Sequence, residues 1–321
     1  MQTTNTVLMV RPTAFTANPE TMRSNSFQKH LTGITDIAAK ARQGFDGYAS
    51  ALTAAGITVH VVDDIREQAT PDSLFPNNWL AMTGDGTIYT FPMEAINRRR
   101  ERRQDIIADI ASDFIVTRRI DLSQHESQGY YLEGTGSLIL DHENKLAYAC
   151  RSSRSSYEVG REFERLSGYR IHWFNARDRQ RQPIYHTNVM LSVGRRFAMV
   201  CLEAVHAPDE REQLLASLGA SGKTVIAVTY EQMASFTCNV LELCDSQGSP
   251  VYAMSTRAWQ AFTPPQQQTI ADYARLALAP IDIIEDLGGG GARCMLCEIF
   301  LRKRMAGSDG SATPPAALSH R

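Results

Sequence analysis

The sequence predicts an α/β fold, a five-bladed pseudo-symmetric α/β propeller, and three observations support this prediction. A hairpin pattern recurs four times, a helix and a lone β-rich run follow each hairpin, and the two chain ends carry the parts of a fifth unit. Because closure removes free sheet edges, a unit divided between the chain ends is expected where the propeller closes. The alternative from pattern alone is an ordinary open α/β sheet.

Each hairpin is a short β-rich run, a polar turn and a second β-rich run. The four are WLAMTGDGTIYTF from Trp79, SLILDHENKLAYAC from Ser137, VMLSVGRRFAMVC from Val189 and VLELCDSQGSPVYAM from Val240. Successive hairpins begin about 50–58 residues apart. A fixed period of this kind indicates a repeated structural unit.

Apolar residues at helical spacing predict a helix after each hairpin. These helices are expected at 98–112, 158–166, 208–218 and 264–278, followed by the β-rich runs FIVTRRI, YRIHWF, KTVIAVT and PIDIIE. The fifth unit combines CMLCEIFL near the carboxyl terminus with TVLMVRP, a helix at 37–55 and TVHVVDD near the amino terminus. Pairing of the two terminal strands is therefore expected to close the propeller.

Composition limits the classes of function. The chain has 321 residues, of which 43% are apolar and 21% charged, with a net charge of −2. This balance gives no reason to expect nucleic-acid or membrane binding. With neither an export signal nor a disulfide framework apparent, we expect a cytoplasmic protein with reduced cysteines. A single catalytic domain is expected over residues 1–303, and a disordered tail over 304–321.

Polar residues precede the first strand of every unit, and radial symmetry would bring them together around one axis. A carboxylate, a histidine and a cysteine from different units form the set that nucleophilic catalysis by a thiol requires. The thiolate attacks, the imidazole moves protons, and the carboxylate holds the imidazole or binds a cationic nitrogen. In chain order the residues are Asn77 and Asn78, Glu133, His186 with Asn188, Cys238 with Asn239, and Cys294.

Other interpretations of the same segments are weaker. The pair Cys294 and Cys297 lies in a strand pattern, which places the two side chains on opposite faces and disfavours a redox site. No second pair of spaced ligands indicates zinc. The glycine run 288–291 lacks the helix and acidic residue of a dinucleotide site, but it allows close backbone approach to a ligand. The arginine-rich run 98–103 is interpreted as a solvated helix face.

Four motifs resemble the guanidine-modifying superfamily of arginine deiminases, dimethylarginine hydrolases and amidinotransferases. They are LEGTG, CRSSRSS, YHTN and GGGGARCM, and the resemblance covers roughly residues 5–303. It implies a five-bladed α/β propeller and a reaction that needs no metal or other cofactor. It also implies that Cys294 is the nucleophile, His186 the general acid and base, and Glu133 the third catalytic group. Arg154 would bind the substrate's α-carboxylate through its planar guanidinium.

Two departures from the family pattern concern the substrate. Members that process arginine carry aspartates where this chain has Asn188 and, in FPNNW, Asn78 or Asn77. A buried anion facing a neutral group would be unpaired, whereas an amide can both donate and accept. The replacements therefore favour a neutral ureido group, and the chain resembles the citrulline-hydrolysing branch. We expect Arg293 to favour the Cys294 thiolate and to contribute to substrate binding.

The alternatives are a deiminase or dimethylarginine hydrolase acting on a guanidinium, an amidinotransferase, and a non-catalytic amino-acid-binding protein. The complete set of cysteine, histidine and glutamate argues against the last, because binding alone needs no nucleophile. The expected partner is a small amino-acid substrate, with a homodimer as the expected assembly if the chain self-associates. The sequence leaves open which asparagine contacts the substrate and what Cys238 and Cys297 do.

Overall fold

The structure is a computed structural model, and it describes residues 1–29, 31, 33–65 and 70–304. Within these ranges the strands form five three-stranded sheets of one design. In each sheet the middle strand pairs antiparallel with one neighbour and parallel with the other. The repeat of hairpin, helix and parallel strand predicted from the sequence is therefore confirmed.

The strands, in chain order, are β1 Thr6–Arg11, β2 Thr58–Asp63, β3 Leu80–Met82, β4 Thr87–Thr90, β5 Arg118–Asp121, β6 Ile139–Asp141, β7 Leu146–Cys150, β8 Arg170–Phe174, β9 Leu191–Val193, β10 Phe197–Val200, β11 Thr224–Ala227, β12 Leu241–Cys244, β13 Pro250–Ser255, β14 Arg275–Ala279 and β15 Cys297–Glu298. The sheets are β15-β1-β2, β3-β4-β5, β6-β7-β8, β9-β10-β11 and β12-β13-β14.

The helices are α1 Ile37–Ala54, α2 Gln104–Asp113, α3 Gly134–Ser137, α4 Tyr157–Ser167, α5 Pro208–Ala220, α6 Tyr230–Ala234, α7 Thr256–Ala261, α8 Pro264–Ala271 and α9 Asp282–Gly288. The longest, α1, buries one apolar stripe at helical spacing, formed by Ala41, Phe45, Tyr48 and Leu52. This stripe packs in one core cluster with residues of β1, β13 and β14. Burial of such a stripe, rather than intrinsic propensity, stabilises a surface helix.

The chain ends meet in the fifth sheet. Strand β1 pairs antiparallel with β15, with Val7 opposite Glu298 and Leu8 opposite Cys297. On its other side β1 pairs parallel with β2 in an unbroken register from Thr6 to Arg11. The predicted pairing of amino- and carboxyl-terminal strands is therefore present, and it fixes the segment around Cys294 against the start of the chain.

The fourth unit corrects the predicted boundaries. The run 264–278 was expected to be one helix, but the helix ends at Ala271 and residues Arg275–Ala279 form β14 instead. The run PIDIIE, expected as a strand, begins helix α9. Alanine and leucine favour a helix in isolation, and here parallel pairing with β13 overrides that preference. Ile281, Ile284 and Leu287 then face one way at helical spacing, and all three are buried.

Neighbouring sheets touch through their first strands, since β15 contacts β3, β6 contacts β9, and β9 contacts β12. In the described part of the chain the five sheets remain separate in their backbone hydrogen bonding. Across those residues, none of the helices has the length and apolar character needed to cross a membrane. The predicted tail 304–321 lies, apart from Arg304, outside the described residues.

Candidate active site

Short turns precede the first strands of the sheets, and the residues singled out from the sequence lie on them. Single 3₁₀ turns span Pro76–Asn78, Thr187–Val189 and Ala292–Met295. The short helix Gly134–Ser137 follows Glu133 directly. The predicted strand at CMLCEIFL is wrong for its first residues, because Cys294 lies on the last of these 3₁₀ turns and β15 begins only at Cys297.

Cys294 is 2% exposed, and its sulfur contacts two amide side chains. The Nδ2 atoms of Asn188 and Asn239 each donate to Sγ at 3.2 Å. The backbone N–H of Cys294 donates to Oδ1 of Asn239 at 3.3 Å. Burial raises the pKa of the Cys294 thiol, and the two amide hydrogen bonds oppose the rise. The free site therefore favours the protonated thiol, and ionisation requires a base.

His186 and Glu133 form the second part of the site. Nε2 of His186 lies 2.8 Å from Oε2 of Glu133, and both side chains are buried. Burial lowers the pKa of His186 to about 4, against the hydrogen bond with Glu133, which raises it. Burial would raise the pKa of Glu133, but Arg154, His186 and Arg98 together hold it below its ordinary value. The arrangement is a neutral imidazole held by a carboxylate, which can accept a proton from a thiol.

The two glycines of the EGTG motif make room for this arrangement. A Cβ on Gly136 would lie 2.5 Å from Nδ2 of Asn78 and 2.7 Å from Nδ1 of His186. A Cβ on Gly134, whose φ is +45°, would lie 2.2 Å from the carbonyl oxygen of Asn77. Glycine at 136 thus lets the Asn78 amide and the His186 ring approach the same point.

Two buried arginines join the site, and one of them overturns a prediction. Arg98 is 2% exposed, so this residue is not part of a solvated helix face as the arginine-rich run 98–103 indicated. Its Nε and Nη2 atoms each donate to Glu101 at 2.9 Å, and Nη1 donates to Oδ1 of Asn78 at 2.9 Å. Ion pairs formed in the folded structure compensate for the cost of burying the charge of Arg98. Composition cannot show such pairs.

Arg154, predicted to bind a carboxylate, is also 2% exposed. Its guanidinium donates to Oγ of Ser24 at 2.7 Å and to the carbonyl oxygen of Thr21 at 3.1 Å. Nη1 lies 3.5 Å from Oε2 of Glu133. The guanidinium also lies over the ring of Tyr185, with Cζ 5.0 Å from the centroid. Nε also lies 3.3 Å from Oε2 of Glu94, so two carboxylates and two neutral oxygens surround this guanidinium.

Asp72 is a buried carboxylate beside the same arginines. Its Oδ2 accepts from Nδ2 of Asn18 at 2.7 Å, and Nε of Arg98 lies 3.7 Å away. Its Oδ1 has no hydrogen-bond partner within the described residues. Burial raises the pKa of Asp72, and Arg98 opposes the rise. A buried oxygen without a partner is costly unless a ligand supplies a donor.

One cavity joins these groups, so the structure brings Cys294 and His186 to the same space. That space has room for about one water molecule, and Thr21 and Asn25 of the segment 18–28 line one side of it. Asn25 donates to the carbonyl oxygens of Gly288 and Gly289, and Gln28 donates to that of Leu287. The lining residues are Thr21, Asn25, Asp72, Phe75, Asn78, Arg98, Arg154, Tyr185, His186, Gly288, Gly290 and Cys294.

Arg293, predicted to bind substrate, does not line this cavity. Its Nη1 donates to the carbonyl oxygen of Leu296 at 2.8 Å, and its Nη2 donates to Glu298 at 2.9 Å. Adjacent residues of a 3₁₀ turn point in different directions, so Arg293 faces a second cavity while Cys294 faces the first.

The remaining thiols of interest lie elsewhere. Cys238 is fully buried in the largest core cluster, and burial raises its pKa well above the ordinary value. The thiol of Cys297 donates to the carbonyl oxygen of Leu80 at 3.4 Å. Neither lines the cavity beside Cys294. Among residues 1–29, 31, 33–65 and 70–304, no cluster of three or more His, Cys, Asp or Glu side chains could hold a metal ion.

Sequence reasoning missed Asp72 and Arg98, and it noted Asn239 only by its place in the repeat. Asp72 lies five residues before Asn77, in a segment without a regular strand or helix. Arg98 lies within a charged run that usually indicates a surface. The only sequence signal for Asn239 was its position before the first strand of the fourth unit, equivalent to that of Cys294 in the fifth.

The fold, together with a cavity that holds a thiol and a carboxylate-bound imidazole, defines a class: this is a C–N hydrolase of the cysteine-nucleophile type. The chain belongs to the family described as N,N dimethylarginine dimethylhydrolase, eukaryotic, whose model matches residues 11–301. Comparison with curated proteins gives no match.

Solved structures with the same fold share little sequence with this chain. The amino-terminal domain of ArgZ, an arginine dihydrolase from the ornithine–ammonia cycle in cyanobacteria, was solved as a cysteine-to-serine variant bound to substrate. It gives a TM-score of 0.71 at 14% identity, over 92% of this chain and 97% of that domain. A dimethylarginine dimethylaminohydrolase was solved as a histidine-to-glycine variant in an adduct with S-methyl-L-thiocitrulline. It gives a TM-score of 0.63 at 15% identity, over 93% of this chain and 100% of that one.

AgrE in complex with ornithine and NAD⁺ gives a TM-score of 0.69 at 15% identity and is matched over 94% of this chain. The chain spans only 40% of the length of AgrE, and 40% of the complete ArgZ chain. These likenesses establish the fold that this chain shares with the three proteins.

Proposed function

We propose that the chain hydrolyses the ureido C–N bond of citrulline, giving ornithine, ammonia and carbon dioxide. The proposal includes a closed propeller, in which five sheets surround one axis and the turns before their first strands meet at the site. Contacts between the first strands of neighbouring sheets support this arrangement. A cavity lined by residues of several of those turns supports it further.

In this proposal Cys294 is the nucleophile, His186 moves protons and Glu133 holds the imidazole. The hydrogen bond between His186 and Glu133 supports the last two roles, since it fixes the ring orientation. The low pKa of His186 leaves the imidazole neutral near pH 7 and able to accept the thiol proton. Glu133 stays ionised and stabilises the imidazolium that forms.

The observation that carries the choice of substrate is the direction in which the amides point. A guanidinium has only donors, so Arg98 requires Oδ1 of Asn78 to face it. The NH2 group of Asn78 then faces away from Arg98, on the side of Gly136 and His186. One of its hydrogens is donated to Oδ1 of Asn77 at 3.1 Å, which leaves the other N–H for a ligand. Oδ1 of Asn188, next to the sulfur, is an acceptor without a partner within the described residues.

A ureido group needs one donor for its carbonyl oxygen and one acceptor for its NH2. The second N–H of Asn78 and the Oδ1 of Asn188 supply that combination near the nucleophile. A guanidinium presents only donors, so it would leave the NH2 of Asn78 facing another N–H group. An unmet buried polar group costs about 1–3 kcal/mol, which favours citrulline over arginine by roughly tenfold to a hundredfold.

The charged groups of the cavity suit the other end of an amino acid. Arg154, which lines the cavity, is a planar and permanently charged donor that can bind an α-carboxylate. Oδ1 of Asp72 lacks a donor and can accept from an α-ammonium group. Because the cavity has room for about one water molecule, an amino acid can enter only when residues 18–28 move away.

The reaction follows in two stages. His186 takes the proton of Cys294, the thiolate attacks the ureido carbon, and the Asn78 amide donates to the developing oxyanion. His186 then gives its proton to the δ-nitrogen, so that the C–N bond breaks, ornithine leaves and a carbamoyl thioester remains. Water, deprotonated by His186, attacks the thioester carbon, and the C–S bond breaks to regenerate the thiol. The carbamate released decomposes to ammonia and carbon dioxide.

A guanidinium substrate is the second candidate, and two observations favour it. The family model that matches the chain is described by dimethylarginine, and ArgZ is an arginine dihydrolase. Asp72 is also a buried anion that lines the cavity and could pair with a cation. Asp72 alone would bind the cation, however, because Asn78 and Asn188 stand beside the nucleophile as neutral amides.

Purified protein, assayed with citrulline, arginine, methylated arginines and agmatine, separates the two. We expect ornithine and ammonia from citrulline, with a kcat/KM at least about tenfold above that for arginine. Citrulline formed from arginine or a methylarginine as the better reaction would overturn the proposal in favour of the second candidate.

Asn188→Asp sharpens the assay. A carboxylate at 188 would repel the thiolate and accept from a guanidinium, so kcat/KM for citrulline should fall about tenfold to a hundredfold. Any residual activity should shift toward arginine. Gln247→Glu makes the same amide-to-acid change on an exposed turn and should leave both activities unchanged. A cytoplasmic location and a homodimer stay predictions from the sequence.

A further inference from the structure

Asn239 is a fully buried side chain to which the proposed reaction assigns no step. It lies immediately before Val240 and β12, at the place in the fourth unit that Cys294 occupies in the fifth. Its side chain contacts Cys294 twice. Oδ1 accepts from the Cys294 backbone N–H at 3.3 Å, and Nδ2 donates to Sγ at 3.2 Å.

The orientation of this amide is fixed by its partners. A backbone N–H can only donate, so Oδ1 must face the N–H of Cys294 and Nδ2 must face the sulfur. Nδ2 also donates to the carbonyl oxygen of Asn188 at 3.1 Å. Both of its hydrogens are then used within the protein. Asn239 therefore has no N–H left for a substrate, and it does not line the cavity beside Cys294.

Asn188 contacts the same sulfur but differs in this respect. Its Nδ2 donates to Sγ at 3.2 Å, whereas its Oδ1 is without a partner within the described residues. The two amides thus differ: Asn188 keeps an oxygen without a partner among the described residues, whereas both N–H groups of Asn239 are committed within the protein. Identical contacts with sulfur do not imply identical roles.

The backbone around Asn239 strengthens its hold on the nucleophile's turn. Its carbonyl oxygen accepts from the backbone N–H of Arg293 at 3.1 Å. A Cβ on Gly291 would lie 3.0 Å from Oδ1 of Asn239, which is closer than ordinary contact. The last glycine of the run 288–291 thus leaves space for the amide to reach the turn that carries Cys294.

We infer that Asn239 is a positioning residue for the nucleophile: its amide orients Cys294 and stabilises the thiolate without touching the substrate. The inference rests on the proposed role of Cys294 as nucleophile. The chemistry is direct, since a neutral N–H donor beside sulfur stabilises S⁻ more than S–H. A donor held in place by two other hydrogen bonds needs no reorganisation when the thiol ionises.

Asn239→Asp tests this inference, because the carboxylate keeps an acceptor for the Cys294 N–H and replaces the donor to sulfur with a negative oxygen. The readout is the pH dependence of alkylation of Cys294 by iodoacetamide in the free protein, followed by mass spectrometry of its peptide. We expect the profile to move to higher pH and the rate at neutral pH to fall roughly tenfold or more. Gln247→Glu should keep the wild-type profile.

Steady-state kinetics with citrulline supply a second readout. Asn239→Asp should lower kcat by roughly tenfold or more while KM changes less than about twofold, since the amide does not contact substrate. If Asn239→Asp fails to fold, Asn239→Ser takes its place, with the same direction and a smaller shift. An unmoved alkylation profile in a folded variant, or a change confined to KM, would overturn the inference.

The alkylation experiment uses no substrate, so it separates this inference from the proposed function. A wild-type protein inactive on citrulline, with a profile that still moves in Asn239→Asp, would contradict the proposed substrate and support the role of Asn239. Turnover of citrulline by the wild-type protein, with the same alkylation profile in Asn239→Asp as in the wild type, would support the proposed substrate and contradict the role of Asn239.

Discussion

Two cavities lie close together in this molecule, and they differ in how their buried polar groups are paired. Cys294 lines one and its neighbour Arg293 lines the other. At the first, Oδ1 of Asp72 and, beside the sulfur, Oδ1 of Asn188 have no partner in the described part of the chain. Because unpaired buried groups cost free energy, these two oxygens suit a site that a ligand completes.

The second cavity is also lined by charged side chains, but each of them is paired. Arg293 pairs with Glu298 at 2.9 Å, and Oε1 of Glu242 accepts from Arg195 at 3.0 Å and from Tyr273 at 2.9 Å. Within the described residues, each buried polar side-chain atom that lines the second cavity has a hydrogen-bond partner. Burial of charge alone therefore does not distinguish the two cavities, whereas an unpaired buried oxygen in the lining does.

The largest expected difference lies between two cysteines three residues apart. Cys294→Ser should reduce citrulline hydrolysis by about 10⁴-fold or more, because a hydroxyl is a far weaker nucleophile than a thiolate. Cys297→Ser, whose side chain keeps a donor for the carbonyl of Leu80, should retain most of the activity. Both are measured as ornithine release. Comparable losses in two folded variants would remove the distinction between the cavities.

The same substitution at two arginines gives the next largest effect. Arg154→Lys replaces a planar fork with a point charge and should raise KM for citrulline about tenfold to a hundredfold. Arg293→Lys should keep the ion pair with Glu298 and change KM by less than about twofold. If Arg293→Lys raised KM as much as Arg154→Lys, the original sequence prediction that Arg293 binds substrate would be favoured.

His186 makes stability depend on pH. Its pKa falls from the ordinary 6.5 to about 4 on folding, so between these values the unfolded state binds more protons. Stability is therefore lost as pH falls from 6.5 toward 4, by roughly 3 kcal/mol at most. His186→Gln should flatten urea-unfolding stability over this interval. His206→Gln, a half-buried site whose pKa is also lowered, should flatten it much less; equal slopes in both variants would contradict the assignment.

The smallest effect concerns Lys29, the residue that follows the segment 18–28 beside the first cavity. Nζ of Lys29 lies 2.7 Å from Oδ1 of Asp286, and the lysine side chain is 57% exposed. Exposed pairs contribute about 0–1 kcal/mol, so Lys29→Met should change stability by less than that and kcat/KM by less than about fivefold. Asp286 also keeps its partner Arg257. A loss beyond tenfold would show that this contact controls closure of the cavity.

Much of the fold could be predicted because the repeat depends on local alternation and turn residues. Boundaries failed where tertiary pairing overrode propensity, as in Arg275–Ala279, which became a strand beside β13. In helix α5, Leu214 and Leu218 are buried, whereas Leu215 is 36% exposed. The helix is regular there, and only the orientation of its stripe relative to the sheet decides which leucine faces solvent.

For the site, the repeat located the turns that carry Cys294, His186 and Glu133, because equivalent positions in a symmetric fold converge. It could not locate Arg98 or Asp72, whose roles come from ion pairs across distant segments. Nor could it separate the two amides at the sulfur, since which amide atom faces which partner depends on three-dimensional contacts. Hydrogen-bond direction is therefore the information that the structure adds to the pattern.

The central claim is that the sulfur of Cys294 attacks a neutral ureido carbon, and acid quenching during turnover tests it most directly. Mass spectrometry of the quenched protein should find a carbamoyl group on the Cys294 peptide with citrulline as substrate, and no adduct with arginine. An amidino-type adduct formed from arginine, with none from citrulline, or an adduct on any other residue, would contradict the account.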